Sequence, residues 1–153
     1  MSLIGTPIPP AFPLVGLAVA STYALSAWQF IRVGGARKAA KVDYPNLYAS
    51  DAEAKADPKK MVFNCHQRAH ANTLESIPYI LAMLLFLGFY HPKFASGSTA
   101  LWVIGKIGYT IGYATGNPKK RTNPVSAISY FGLLGLFFGS IYVAGTKTYE
   151  LYF

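Results

Sequence analysis

Four stretches of this chain are each apolar over roughly the 20 residues that a helix needs to cross the hydrocarbon core of a bilayer. They run from about residue 13 to 33 ("PLVGLAVASTYALSAWQFIRV"), 62 to 90, 98 to 115 ("STALWVIGKIGYTIGYAT") and 125 to 145 ("VSAISYFGLLGLFFGSIYVAG"). With 153 residues, the chain then has room for one domain and little else. Charged residues make up only 13% of it, about half the usual share. The fold expected is an all-α integral membrane protein, a four-transmembrane-helix bundle in a single domain covering residues 1–153.

The charges that remain sit between the spans. No Lys or Arg precedes the first span, which argues against a cleaved secretory signal with its basic leading region. The first connection, Gly34 to Met61, carries Arg37, Lys38, Lys41, Lys55, Lys59 and Lys60, and the third carries Lys119, Lys120 and Arg121. The second connection and the tail offer only Lys93 and Lys147. Since connections one and three share a face, the positive-inside rule places both in the cytosol. The net charge of +8 is then mainly a topology signal, with attraction to anionic headgroups second. Nucleic-acid binding is the poorer reading, because the basic residues flank spans rather than cover a soluble face.

The second span breaks the pattern. In "FNCHQRAHANTLESIPYILAMLLFLGFYHP", Phe63 to Pro92, a polar and ionisable half runs into a lipid-like half with no turn residue between them. At about 100° per residue, Arg68, Asn72, Glu75 and Tyr79 fall on one narrow stripe, while His66 and His70 lie on the other side. One reading is a helix that starts in water, with Arg68 and Glu75 merely solvated. Against it stands the cost of about 2.5–3.5 kcal/mol or more for an ionisable group at bilayer depth, which makes such residues markers of a site. A guanidinium fork, an amide and a carboxylate side by side suit a small zwitterionic ligand. Pro78 removes one helical hydrogen bond below the stripe and favours a cavity there. On the third span Tyr109 and Tyr113 share a face with Lys106. Tyrosines near a membrane edge also form interfacial belts, so both readings stay open.

The segments "GARKAAKVDYPNLYASD", "FNCHQRAHANTLE", "GFYHPKFASG" and "IGYTIGYATGNPKKR" together resemble the MAPEG family of membrane-associated proteins in eicosanoid and glutathione metabolism. The branch most similar is the type-3 microsomal glutathione S-transferases. The resemblance implies a homotrimer of four-helix bundles, with glutathione as co-substrate between neighbouring subunits near the cytosolic face. By motif, Arg68, Asn72, Glu75, Tyr109 and Tyr113 would bind glutathione from one subunit, and Arg37 and His70 from the next. Lys38, Lys106 and Lys120 would be accessory.

Arg121 corresponds to the arginine that activates the thiol, the catalytic role. A free thiol has a pKa of about 8.5, so only a few per cent is thiolate at neutral pH. Lowering it by about 2 units takes roughly 2.7 kcal/mol of preferential thiolate stabilisation. The activity implied is glutathione transfer to a lipophilic electrophile, or reduction of a lipid hydroperoxide. The acceptor would enter from the membrane lipid between subunits. Ser76, His70 and Lys38 depart from the leukotriene-conjugating pattern, and Lys120 stands beside Arg121 as a substitute activator. The endoplasmic reticulum is the family's default membrane, with the outer mitochondrial membrane and nuclear envelope as alternatives.

Three other readings compete. A non-catalytic MAPEG protein, like the five-lipoxygenase-activating protein, presents lipid without glutathione; retention of the polar set argues against it. A small channel would spread its ionisable residues along a path, whereas these cluster at one end. His66 and His70 have metal-ligand spacing but no placed third ligand, so no metal is expected. The single cysteine, Cys65, forms no internal disulfide framework and reads as a buried thiol.

Overall fold

The structure, a computed structural model, describes residues 8–153. Its elements are α1 (Pro13–Ala40), α2 (Asp51–Ala56), α3 (Pro58–Tyr90), α4 (Pro92–Tyr113), a 3-10 helix (Pro118–Arg121) and α5 (Pro124–Tyr152), with no strand among the described residues. Each long helix has a proline in its first turn, where the missing N–H goes unneeded. Asp57 caps α3 by accepting from the Lys59 N–H, and Asn123 caps α5 by accepting from the Ser126 N–H.

Three helices are long and apolar enough to cross a membrane: α1, α3 and α5, of 28, 33 and 29 residues. The helix α4 is not among them. Its 22 residues would rise about 33 Å, a spanning length, but Lys106, the tyrosines and several Gly, Ser and Thr residues keep it less hydropathic. Helix α3 resolves the oddity of the second span. Its rise of about 50 Å exceeds a hydrocarbon core of about 30 Å by some 13 residues. Placed at the polar N-terminal end, that surplus would reach about residue 70, with Arg68 just outside the core, Asn72 at its edge and Glu75 about one turn further in.

The connections are tighter than the sequence suggests. Only His91 separates α3 from α4, so Lys93 lies in the first turn of α4 rather than in a loop. The first polar connection is largely helical as well. Ser50 and Glu53 form a reciprocal capping box that starts α2, a signal visible in Ser-x-x-Glu. Glu53 also pairs with Lys60 and so ties α2 to α3. That ammonium, helped by Ser50, holds the Glu53 carboxyl down at about 2.

Packing follows from what lipid allows. Lipid tails are as apolar as the helix surfaces, so association depends on close backbone approach and polar contacts. The α4–α5 seam shows the first of these. A Cβ added at Gly105 would lie 2.2 Å from the Ser129 nitrogen, and one at Gly132 would lie 2.3 Å from the Ser98 oxygen. Both helices therefore need hydrogen at these points. The core beside the seam is formed by Val15, Leu25, Ile80, Leu84, Trp102 and Leu136. Phe30, Ile31, Phe131, Phe138 and Ile141 face outward.

Gly105→Ala should therefore lower the thermal stability of the detergent-solubilised protein by about 1–3 kcal/mol, the usual cost of overpacking. Gly145 meets nothing within 4 Å, so Gly145→Ala should be neutral or slightly stabilising. Equal melting temperatures for the two variants would mean that the seam is not tight.

Candidate functional site

The polar stripe of α3 is closed on itself. Arg68 spans two turns to Glu75, with Nη1 donating to Oε1 at 2.6 Å and Nη2 to Oε2 at 3.4 Å. The two side chains are 45% and 56% exposed. An exposed pair of this kind contributes about 0–1 kcal/mol. A ligand carrying both charges could separate the two at little cost.

Asn72, between them on the stripe, takes a different partner. The Lys106 ammonium of α4 donates to its Oδ1 at 2.7 Å. Lys106 also lies 5.5 Å from the Trp102 ring centroid and 5.4 Å from that of Tyr109. It is 8% exposed, and among the described residues no carboxylate lies within ion-pair distance of it. With Oδ1 occupied, Asn72 presents its NH2 group to any ligand.

From Lys106 a file of side chains runs along α4 toward its C-terminal end. Tyr109 and Tyr113 meet edge to face, with centroids 5.6 Å apart. The Arg121 guanidinium then lies 5.7 Å from the Tyr113 ring centroid. The 3-10 helix positions it: Nη1 donates back to the Pro118 carbonyl at 2.8 Å, leaving most of the fork free. Arg68 and Tyr113 line a cleft of about 240 Å³ with Tyr48, Asp51, Lys55 and Cys65. Its outer wall is pinned by Asn64, whose side chain bonds both the N–H and the carbonyl of Ala49 at 2.8 Å. The cleft wall thus carries two cations, Arg68 and Lys55, one carboxylate, Asp51, and two phenols, Tyr48 and Tyr113, with Arg121 beside Tyr113.

A model of the MAPEG family matches residues 15–142, from the first turn of α1 well into α5. The chain belongs to the MAPEG family. Membership and the three apolar helices together make it an integral membrane protein.

Within this MAPEG chain, the residues expected from sequence fall into two groups. Arg68 and Glu75, Asn72 and Lys106, and Tyr109, Tyr113 and Arg121 come together on facing sides of α3 and α4. Arg37, His70, Lys38 and Lys120 do not join them. Arg37 is buried, with Nη1 donating to the carbonyls of Val42 at 3.3 Å and Asn46 at 2.7 Å. Its guanidinium is stacked between Tyr44 and Phe63, at 4.4 and 4.6 Å. It therefore holds the chain after α1. His70 faces α1, where Nε2 lies 3.3 Å from the Ser26 hydroxyl. Lys38 is exposed in the last turn of α1. Lys120 lines an open apolar groove of about 490 Å³ with Ile104, Ile107, Ile111 and Val125.

Two polar residues of α1 in the MAPEG bundle have an interior role that the sequence reading did not assign, Arg32 counting there only as a basic flank of the first span. Gln29 of α1 is 1% exposed, and its Nε2 donates to Thr73 at 2.9 Å and Thr110 at 2.7 Å, so it joins α1, α3 and α4. Arg32, one turn on, lies over Trp28, with 5.1 Å from its guanidinium carbon to the ring centroid. The signal was available. Two polar residues spaced i, i+3 inside an apolar span mark a face that meets protein.

The Arg68–Glu75 contact can be measured directly. A double-mutant cycle with Arg68→Ala and Glu75→Ala in the ligand-free protein should give a coupling of no more than about 1 kcal/mol. Thermal unfolding in detergent is the readout. A coupling of several kcal/mol would make the pair a structural strut and remove it from the binding surface.

Proposed function

We propose that this MAPEG protein is a membrane-bound glutathione transferase and glutathione-dependent lipid-hydroperoxide peroxidase. Its family contains both glutathione enzymes and non-catalytic members. The observation that carries the enzymatic reading is the Arg121 guanidinium seated over Tyr113, a residue that lines the same cleft as Arg68.

Glutathione would lie along the α3–α4 face. Its ammonium would take Glu75, its carboxylates would take cations of the cleft, and Asn72 would orient the backbone. Arg121 would stabilise the thiolate at the cleft mouth. That thiolate would attack an electrophilic carbon, opening an epoxide C–O bond, or the outer oxygen of a lipid hydroperoxide, breaking the O–O bond so that the lipid leaves as an alkoxide and takes a proton from water. In the second case the sulfenic product would be resolved by another glutathione to the disulfide. The apolar groove beside Lys120 supports a lipophilic acceptor, which would arrive from the bilayer.

The assembly belongs to the same proposal. We take α4 as the fourth span, with its Lys106 turned inward, and the bundle as one third of a homotrimer. A cleft of about 240 Å³ is smaller than the ~300–1,000 Å³ usual for small-molecule sites, which favours completion by another subunit. His70, directed away from Arg68 in its own chain, would reach the neighbour's pocket, and Arg37 would support that pocket by holding the segment after α1. Both basic connections would face the cytosol, in the endoplasmic reticulum membrane. Coexpressing an Arg68→Ala chain with a His70→Ala chain should then give mixed trimers that exceed either mutant in activity. Mixed trimers no more active than the single mutants would rule out a shared pocket.

The deciding assay uses detergent-purified protein and glutathione, with a lipid hydroperoxide and an epoxide side by side. Arg121→Ala should leave glutathione affinity within a few fold, because the residue is exposed and Arg68, Asn72 and Glu75 remain. Turnover should fall at least about 10-fold, and the pH profile should move alkaline as the bound thiol returns toward about 8.5. Arg121→Lys should recover part of the loss. If the mutant forms thiolate as readily as wild type, judged by ultraviolet absorbance at neutral pH, Lys120 becomes the activator. If wild type binds glutathione in neither form, the lipid-presenting role takes the lead.

A further inference from the structure

The charges around the cleft do not cancel. Arg68 and Glu75 neutralise each other across 2.6 Å. Arg121 is exposed, so water screens it in part. Lys106 is different: it is 92% buried, taking its 8% exposure from the whole. One amide oxygen accepts from it and two aromatic faces lie beside it, while Glu75 acts on it only from beyond ion-pair distance. An ammonium has three donors, and here one is used. Cation–π contact offsets about 0.5–2 kcal/mol, well short of a full hydration shell. Nothing in the packing of α4 requires a charge at this position, since a methionine would fill the same space.

We infer that Lys106 is the buried counter-charge of the site and fixes the ionisation state in which the ligand binds. This rests on the glutathione reading above. Glutathione has two carboxylates and one ammonium, a net charge of −1 with its thiol protonated and −2 as the thiolate. With Arg68 cancelling Glu75, and Lys55 cancelling Asp51 on the cleft wall, the site offers one positive charge at Lys106 and one at Arg121. The net is +2, which matches the thiolate form. Glutathione therefore enters with its S–H bond broken heterolytically, the electron pair staying on sulfur and the proton passing to bulk water. No electrons are transferred in that step.

Lys106 and Arg121 divide the work by depth. Arg121 sits at the mouth, near the sulfur. Lys106 lies two turns of α4 further in from Tyr113, where a lower dielectric makes its charge count for more. It takes a ligand carboxylate, and Asn72, held by Lys106 through Oδ1, donates its NH2 group to the same ligand. The charged and titratable groups facing Lys106 are Glu75 of α3 and Tyr109 of its own helix, with Arg68 beyond Glu75.

The test is titration calorimetry of glutathione into the detergent-purified protein at neutral pH. Runs in two buffers of different ionisation enthalpy count the protons released. Wild type should release most of a proton per glutathione bound. Lys106→Met should weaken binding at least about 30-fold, equivalent to about 2 kcal/mol, and proton release should drop toward zero. Lys106→Arg should keep the proton release, since it keeps the charge. The ligand-free Lys106→Met protein should melt no lower than wild type, because it loses an uncompensated buried charge. If that variant does not fold, Lys106→Gln, which keeps a donor for Asn72, replaces it. A variant that binds with unchanged affinity and proton release would overturn the counter-charge role while leaving glutathione binding intact. Wild type that binds without releasing a proton would do the same. Wild type that does not bind glutathione at all would overturn both.

Discussion

The Gln29 amide, buried where three helices meet, is the contact on which the rest of the bundle depends. In water a helix pair is held by the area it hides, but against lipid that term is nearly absent. What remains is backbone closeness and hydrogen bonding. Gln29 supplies the second by donating to Thr73 of α3 and Thr110 of α4 at once. Those threonines are committed in turn: their hydroxyls donate to Ala69 and Lys106 carbonyls at 3.2 and 2.8 Å. The network fixes the rotation of α3 and α4 about their axes. Rotation decides which residues face each other. With Thr73 and Thr110 turned toward α1, their neighbours Asn72 and Tyr109 are placed at the other side of the α3–α4 junction, where the cleft opens.

The glycines of the α4–α5 seam do the complementary job. Gly105 and Gly132 let the two backbones touch, so α5 covers one face of α4 closely. The corner between the helices then has to be short. It is closed by the 3-10 helix and by Asn123, whose Nδ2 donates to the Gly108 carbonyl at 3.0 Å and to that of Lys120 at 3.2 Å. This corner is what brings Arg121 over Tyr113. The position of one exposed guanidinium thus depends on small residues buried two to four turns away.

Much of this was legible in the sequence, and the omissions have physical reasons. Apolar windows located the four long helices but not their ends, because a helix leaves the bilayer wherever its hydrogen bonds can continue. Thus α1 runs to Ala40, and α3 begins at Pro58. The stripe of Arg68, Asn72 and Glu75 was readable from helical period alone. What each residue touches was not. Period gives direction, whereas pairing depends on reach, and Arg68 is long enough to meet Glu75 before any ligand does. Lys106 had looked accessory, because a lone lysine near a membrane edge usually snorkels to water. Only the placement of Asn72, Trp102 and Tyr109 around it makes it an interior charge. Arg37, expected to serve the site of a neighbouring subunit, is held within its own chain by Val42, Asn46, Tyr44 and Phe63, a set that no periodic pattern on α1 could reveal.

Two kinds of charge therefore meet at this end of the bundle, and they differ in what they ask of a ligand. The Arg68–Glu75 pair is exposed and self-satisfied, so it discriminates by geometry: a ligand must offer both signs at the right separation to open it. Lys106 is buried with one hydrogen bond, to Asn72, so on the proposed reading it would discriminate chiefly by charge. A neutral zwitterion could satisfy the pair but would leave the ammonium as costly as before. An anion without an ammonium could satisfy Lys106 but would leave Glu75 facing its carboxylate. Only a molecule with one positive pole and an excess of negative charge meets both demands, which limits the ligand more sharply than the shape of the cleft does. The restriction follows from the burial of Lys106 within the bundle, because the same charge in water would be screened into indifference.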